Sequence, residues 1–346
     1  MKNRIIIGLF IAVITIASST GCTDSALQEE SYPTNSQGNA GAISTENGNT
    51  EDVPLPVTKT EVSDKSIAIS YAGEDFIKSV FAAGGNMLYV YGIKPNGNYF
   101  LGCMQKEGDI FQELDVDMDE DMRAFNMVID KQNRCHILWM SVEKDVFNGQ
   151  SFDRITYENS KITIVSSEGK LEKKIDVSGV FSSEQSRPLC FAVDADGNYY
   201  FENGKKIVQI LPDGTQGKVI ACDGIIEGMG TGKSGAIYCI YHKESGAREL
   251  ARLEDGNIHP CNVELPNADA IYSGVYAGTD SELLLFNKDS GILAYDDEEV
   301  EIRVSGAELP VSRSMINGYG VLSDGRTCIM TQAEGTAIFY YIPSGK

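Results

Sequence analysis

The stretch Cys190-Phe191-Ala192-Val193-Asp194-Ala195-Asp196-Gly197-Asn198-Tyr199-Tyr200-Phe201-Glu202-Asn203-Gly204-Lys205-Lys206-Ile207-Val208-Gln209-Ile210-Leu211-Pro212-Asp213-Gly214, continuing to Ala221, decides the fold. Four short apolar runs lie at Cys190–Val193, Tyr199–Phe201, Lys206–Leu211 and Lys218–Ala221. Between them stand Asp196-Gly197-Asn198, Asn203-Gly204 and Asp213-Gly214, pairs that supply the positive φ angles of tight hairpins. Three hairpins in succession make a four-stranded antiparallel meander. Such a unit is too small to bury its own faces, so it must stack against copies of itself.

Copies are present along the chain. A turn followed by a β run recurs at Asn86, Asn133, Gly197, Gly235, Ser281 and Gly325, with spacings of 47, 64, 38, 46 and 44 residues. Most of these match the roughly 40–50 residues of a propeller blade. The second repeat carries about twenty extra residues, around Val142 to Asn159. The reading is all-β: a propeller of six four-stranded blades over residues 64–346, with a seventh only if the long second repeat hides a degenerate one. The last repeat lacks a fourth strand, and Ser66–Tyr71 precedes the first repeat without a partner. Pairing the two would close the ring and remove an open sheet edge.

The N-terminus reads as an address. Lys2 and Arg4 precede thirteen uncharged residues from Ile5 to Ala17, and then comes Ser18-Ser19-Thr20-Gly21-Cys22. Thirteen apolar residues fall short of the ~20 that span a bilayer, but they form the core of an export signal. The ending resembles the lipobox of bacterial lipoproteins in Gly21 and Cys22 and departs from it at Ser19, where that family usually has Leu. The resemblance implies a signal peptide over 1–21 and a lipid-anchored Cys22. Residues 22–63 follow as a disordered tether, polar and Gly-rich, with seven acids from Asp24 to Glu61 against Lys59. A coil of this length spans roughly 35 Å. The expected location is extracytoplasmic, at the cell membrane.

Charge narrows the partners. The chain has 346 residues and a net charge of −21, which disfavours nucleic-acid binding because phosphate contacts need clustered Lys and Arg. Of the eight cysteines, seven follow Cys22, and most sit inside apolar runs with no CxxC pair. They read as small buried hydrophobes rather than a redox or zinc framework.

The chain holds no HExxH, Walker loop, GxSxG or helix-opening GxGxxG. The acidic run Glu113 to Asp121 fails as an EF-hand, since a loop starting at Asp115 would have Glu120 and Asn126 at its sixth and twelfth positions. Leu114, Val116 and Met118 alternate with the acids, which fits one buried face. Asp194 to Gly197 reads as a turn that needs no metal. Gly228-Met229-Gly230-Thr231-Gly232 reads as a blade-to-blade loop, and His136 as a core or lumen residue. No catalytic residue, metal or cofactor is assigned.

One set of positions invites a ligand. The segment entering each innermost strand carries Lys78, Arg123, Arg187, Glu227, Tyr272 or Arg313, eight to twelve residues before each anchor. Four cations at equivalent places in so acidic a chain would gather at one end of the channel as donors for a polar or anionic ligand.

In its repeat, the folded part resembles six-bladed propellers of the NHL and gluconolactonase type. As a whole, the chain looks like the propeller lipoproteins of Gram-positive anaerobes. In some of those a similar propeller precedes a transporter's solute-binding module, and the sequence to Lys346 corresponds to the propeller part. The resemblance implies a binding or scaffolding propeller for a protein partner or extracellular glycan. The alternative is a lumen enzyme, such as a metal-dependent lactonase or a lyase, which would need several Asp, Glu, Asn or His side chains converging on the channel.

Overall fold

The computed structural model describes residues 55–56, 58–63, 66–70, 77–94, 98–105, 110–114, 116, 118–147, 150–181, 190–266, 272–287, 289–310, 316–333 and 336–343. Strand follows strand. Three N-terminal strands, β1 (Leu55–Pro56), β2 (Thr58–Ser63) and β3 (Ser66–Ser70), precede the first blade. Blade 1 is β4 (Ile77–Gly84), β5 (Met87–Ile93), β6 (Tyr99–Gln105) and β7 (Ile110–Glu113). Blade 2 is β8 (Met122–Ile129), β9 (Cys135–Phe147), β10 (Gln150–Val165) and β11 (Leu171–Asp176). Blade 3 is β12 (Phe191–Val193), β13 (Tyr199–Glu202), β14 (Lys206–Ile210) and β15 (Gln216–Ala221), nearly as the meander reads. Blade 4 is β16 (Gly224–Thr231), β17 (Ile237–Lys243), β18 (Arg248–Glu254) and β19 (Asn257–Pro260). Blade 5 is β20 (Tyr272–Ala277), β21 (Leu283–Asn287), β22 (Gly291–Tyr295) and β23 (Val300–Ser305). Blade 6 opens with β24 (Ile316–Val321), β25 (Thr327–Ala333) and β26 (Thr336–Ile342).

Closure falls where edge-counting puts it. β26 pairs antiparallel with β3, Phe339 opposite Ile67, so the fourth strand of the last blade comes from before the first. β2 adds a fifth strand outside β3, and β1 pairs with β7 on the edge of blade 1. These strands correct the sequence boundary: the fold reaches back to Leu55, so the expected tether ends before residue 63. Composition misses this because strands pair through backbone groups, which polar residues supply as well as apolar ones. The signal segment and Cys22 lie outside the described residues.

The core lies between blades, not within them. Six clusters of buried side chains fill the six interfaces. Phe81, Leu88 and Phe100 meet Met330 and Phe339 where blade 1 joins blade 6. Trp139, Ile137 and Cys135 meet Tyr89 and Leu101 between blades 1 and 2. Each fully buried Leu or Phe stabilises by about 1.5–3 kcal/mol. The clusters bind each blade to both neighbours, so the ring is one cooperative unit. Longer side chains lace the outer turns: Lys173 Nζ donates to Pro212 O at 2.7 Å from blade 2 to blade 3.

Cysteines take the apolar role expected of them. Cys103, Cys135, Cys190, Cys239 and Cys328 are buried and unbridged, and Cys222 and Cys261 are half-buried. Burial pushes the thiols up, that of Cys103 to about 11, so they make poor nucleophiles. Leu114 and Val116 are buried and Met118 packs against the blade 1–2 core. The alternation in the acidic run therefore holds, although the strand itself ends at Glu113.

Candidate functional site at the channel

The innermost strands β4, β8, β12, β16, β20 and β24 line a central cavity of about 270 Å³. All six run the same way along it, so the channel has an entry end where they start and an exit end where each turns into a hairpin. At the exit end two of the turns share a device. Asp130 Oδ1 accepts from the backbone N–H of Gln132 and Arg134, both at 2.9 Å. Asp194 Oδ1 accepts in the same way from Asp196 and Asn198, both at 2.9 Å. The remaining oxygen of Asp194 accepts from Asn198 Nδ2 and Tyr200 Oη, so hydrogen bonds alone account for this turn.

Asp130 does more. Its Oδ2 meets His136 Nε2 at 2.9 Å and Arg134 Nε at 2.7 Å. His136, only 1% exposed, reaches Tyr199 Oη across to blade 3 at 3.0 Å. Burial alone would raise the Asp130 carboxyl, but hydrogen bonds from His136 and Arg134 outweigh it and hold the group below its ordinary range. His136 is thus a core residue that ties two blades together.

At the entry end the strands bulge. One extra residue interrupts the pairing of β4 between Ile77 and Val80, of β8 at Phe125, of β16 at Glu227, of β20 at Ser273 and of β24 at Asn317. A bulge re-aims the side chains beside it. Glu227 lines the cavity. Its carboxylate is held by the fork of Arg248, Nε to Oε2 at 2.7 Å and Nη2 to Oε1 at 2.9 Å, with His242 Nδ1 at 3.8 Å. Arg248 and His242 are functional candidates that sequence reasoning missed. They stand 21 and 15 residues from Glu227, and only the pairing of β16, β17 and β18 brings them to it.

The other sequence candidates divide. Lys78 and Arg123 are the second residues of β4 and β8, and Tyr272 is the first of β20, so these positions start strands rather than occupy loops. The guanidinium of Arg123 stacks 3.9 Å over Tyr99 and donates to Glu120 O and Met122 O, both at 2.7 Å. Tyr272 is buried and donates to Pro266 O at 2.6 Å, and burial pushes its hydroxyl up to about 12. Arg187 and Arg313 lie outside the described residues. Judged by register, only Lys78 and Glu227 fall within a bulge. Distance from the hairpin anchor therefore misaligns the set.

The glycine-rich run Gly228 to Thr231 corrects a second expectation. It is not a loop but the body of β16. A Cβ on Gly230 would sit 1.9 Å from Val275 O of β20, so the seam between these strands admits no side chain there. Around the channel, Gly228, Gly230 and Gly274 join Ala82, Val128 and Ala192 in a largely small and apolar wall. Among the described residues no three His, Cys, Asp or Glu side chains converge to hold a metal ion.

No protein family model and no curated protein matches this sequence. Solved structures do. A gluconolactonase from Xanthomonas campestris matches at 12% identity over 84% of this chain and 95% of that chain, with a TM-score of 0.49. YCF48 from Cyanidioschyzon merolae matches at 11% identity over 84% and 96%, TM-score 0.46. The soluble aldose sugar dehydrogenase of Escherichia coli matches at 12% identity over 78% and 96%, TM-score 0.46. At these TM-scores the likeness carries no argument, and the fold rests on the strand pairing alone.

Proposed function

We propose that this chain is a membrane-anchored, extracytoplasmic binding or scaffolding propeller. It is tethered through Cys22 and holds a protein partner or an extracellular glycan at the entry end of its channel, beside a transporter in the arrangement its resemblance implies. The observation that carries this reading is the channel wall. Glycine and aliphatic residues make most of it, and both oxygens of Glu227 are engaged by Arg248. A carboxylate fixed by a bidentate guanidinium is a rigid hydrogen-bonding fixture rather than a free base. It suits recognition better than proton transfer.

Two measurements test the reading on the full chain. Cys22→Ala is expected to move the protein from the detergent phase to the aqueous phase in a partition assay; retention in the detergent phase would refute the anchor. A glycan and peptide array is expected to give hits that weaken tenfold or more in Glu227→Gln. Turnover of sugar lactones that disappears in Glu227→Gln would instead support the lumen enzyme.

A further inference from the structure

Among the described residues, blade 2 carries a feature the other blades lack. β8 begins at Met122, opposite Ser141, yet β9 continues to Phe147 and pairs with β10 as far as Phe147 opposite Gln150. Six cross-strand pairs, from Val142 with Ile155 to Phe147 with Gln150, thus extend beyond the blade as a two-stranded arm. Because β9 runs against β8, the arm projects from the entry end. Its base is pinned. Ser141 Oγ contacts Thr156 Oγ1 at 2.6 Å and accepts from Asn159 N at 3.2 Å, which holds the four residues that bulge out of register. Ile155 packs against the core between blades 2 and 3.

Past Ser141 the edge of β9 that faced β8 has no strand beside it among the described residues. Val142 N–H donates to Asp121 O at 2.7 Å, the last bond of that ladder. Antiparallel alternation then turns the backbone groups of Val146 to the same side, where its N–H donates to Asp145 Oδ1 at 2.8 Å, an exposed contact that an incoming strand would have to replace. The Val146 side chain is 66% exposed. Two-stranded ribbons are marginal in water, and open edges recruit strands. The slot along 143–147 is about 17 Å long, room for four or five residues of an extended segment.

Charge selects the occupant. The foot of the slot is lined by Glu120 and Asp121, both exposed, and by Asp119, which is paired with Lys161. Along the arm, Glu143 and Asp145 share one face with Arg154, bonded to Glu143 and 3.4 Å from Asp145, while Lys144 stands on the opposite face. A second copy of this chain would bring the same acids and a net charge of −21 to the slot. We propose that the open edge of β9 takes up a basic, extended segment of a partner protein as an added β-strand, its lysines or arginines facing Glu120, Asp121, Glu143 and Asp145. This site is separate from the channel and stands whether or not the channel mouth takes a glycan.

The test uses the full chain and a defined probe, a fluorescent decapeptide of alternating Lys and Thr, with a Glu–Thr peptide and a Pro-interrupted Lys–Thr peptide as controls. Saturable binding of the first peptide alone is expected, weakening as salt rises. The Val146 amide should become protected from hydrogen exchange when it binds. Replacing residues 143–154 by Asn-Gly should cut affinity tenfold or more and leave the melting temperature unchanged. Val146→Pro, which removes one edge donor, should weaken binding in the same direction. Equal binding of the three peptides would overturn the proposal, as would full affinity in the arm-deleted variant, no binding to the intact chain, or a dimer of the intact chain that the arm deletion dissolves.

Discussion

The two ends of the channel are built by different rules. At the exit end, five of the six inner hairpins turn through a residue with positive φ at nearly the same place: Gly85, Asn133, Gly197, Gly235 and Gly325. The side-chain chemistry repeats in two neighbouring blades, with Asp130 and Asp194 accepting the same pair of backbone bonds. At the entry end, the backbone device repeats while the side chains do not. The bulges carry Phe125, Glu227, Ser273 and Asn317, and one blade alone grows an arm. Where both backbone and side chain recur, the repeat serves closure of the blade. Where the backbone recurs and the side chain varies, the position is free to serve a ligand. This separates scaffold from candidate site without reference to any other protein.

The strongest way to break the comparison is to open the ring. β3 is the only partner of β26 on that side, and without it blade 6 exposes an unpaired edge at the seam with blade 1. Deleting residues 1–70 is expected to leave a chain with no cooperative thermal transition. Deleting residues 1–54 should melt like the full protein, because it spares β1 to β3. Circular dichroism melts of the two truncations decide this; similar transitions would show that the N-terminal strands do not close the fold.

The second test sets the two equivalent aspartates against each other. Asp194→Ala removes a half-buried turn acceptor and should cost about 1 kcal/mol. Asp130→Ala also strips the buried His136 and Arg134 of their partner, and should cost roughly 3–5 kcal/mol. Acid sensitivity should follow. The folded Asp130 carboxyl lies below its ordinary value of 3.8, so its contribution is complete above that pH and is lost as pH falls through the folded value. Denaturant midpoints measured between pH 7 and pH 2 should therefore drop less on acidification in Asp130→Ala than in the wild type. Parallel pH curves would deny Asp130 its special role.

Much of this was legible in the sequence because it is local. Asp-Gly and Asn-Gly pairs announce hairpins, and their spacing announces blades, so the anchors at Asn133, Gly197, Gly235 and Gly325 fall on the turns that need positive φ. Closure by Ser66–Ser70 followed from counting strands in the last repeat. What stayed hidden depends on pairing between distant segments. Tyr199 reaches His136 across 63 residues. Arg248 reaches Glu227 across two hairpins. The bulges exist only as a mismatch between two strands, so no spacing within one strand could align Lys78, Arg123, Glu227 and Tyr272. The extra length near Val142 was visible, but its form as a projecting arm was not.

The smallest effect sharpens the comparison within a single strand. Gly228 and Gly230 both lie in β16 and both look toward β20. Gly230, nearer the exit end, would place a Cβ 1.9 Å from Val275 O, and backbone cannot give way as a flexible side chain does. Gly228, beside the Glu227 bulge, would place one 3.3 Å from Tyr272 O, a distance that a shift of a few tenths of an ångström relieves. If the exit end is packed for closure and the entry end is looser, Gly230→Ala should cost about 1–3 kcal/mol by overpacking, and Gly228→Ala well under 1 kcal/mol. The same pair should separate on ligand. Gly228→Ala alters the neighbour of Glu227 and should change affinity for any channel ligand while barely moving the melting temperature. Gly230→Ala should do the reverse. Equal losses of stability at the two glycines would mean that β16 meets β20 with one uniform packing, and that the entry end holds no reserve of space for a ligand.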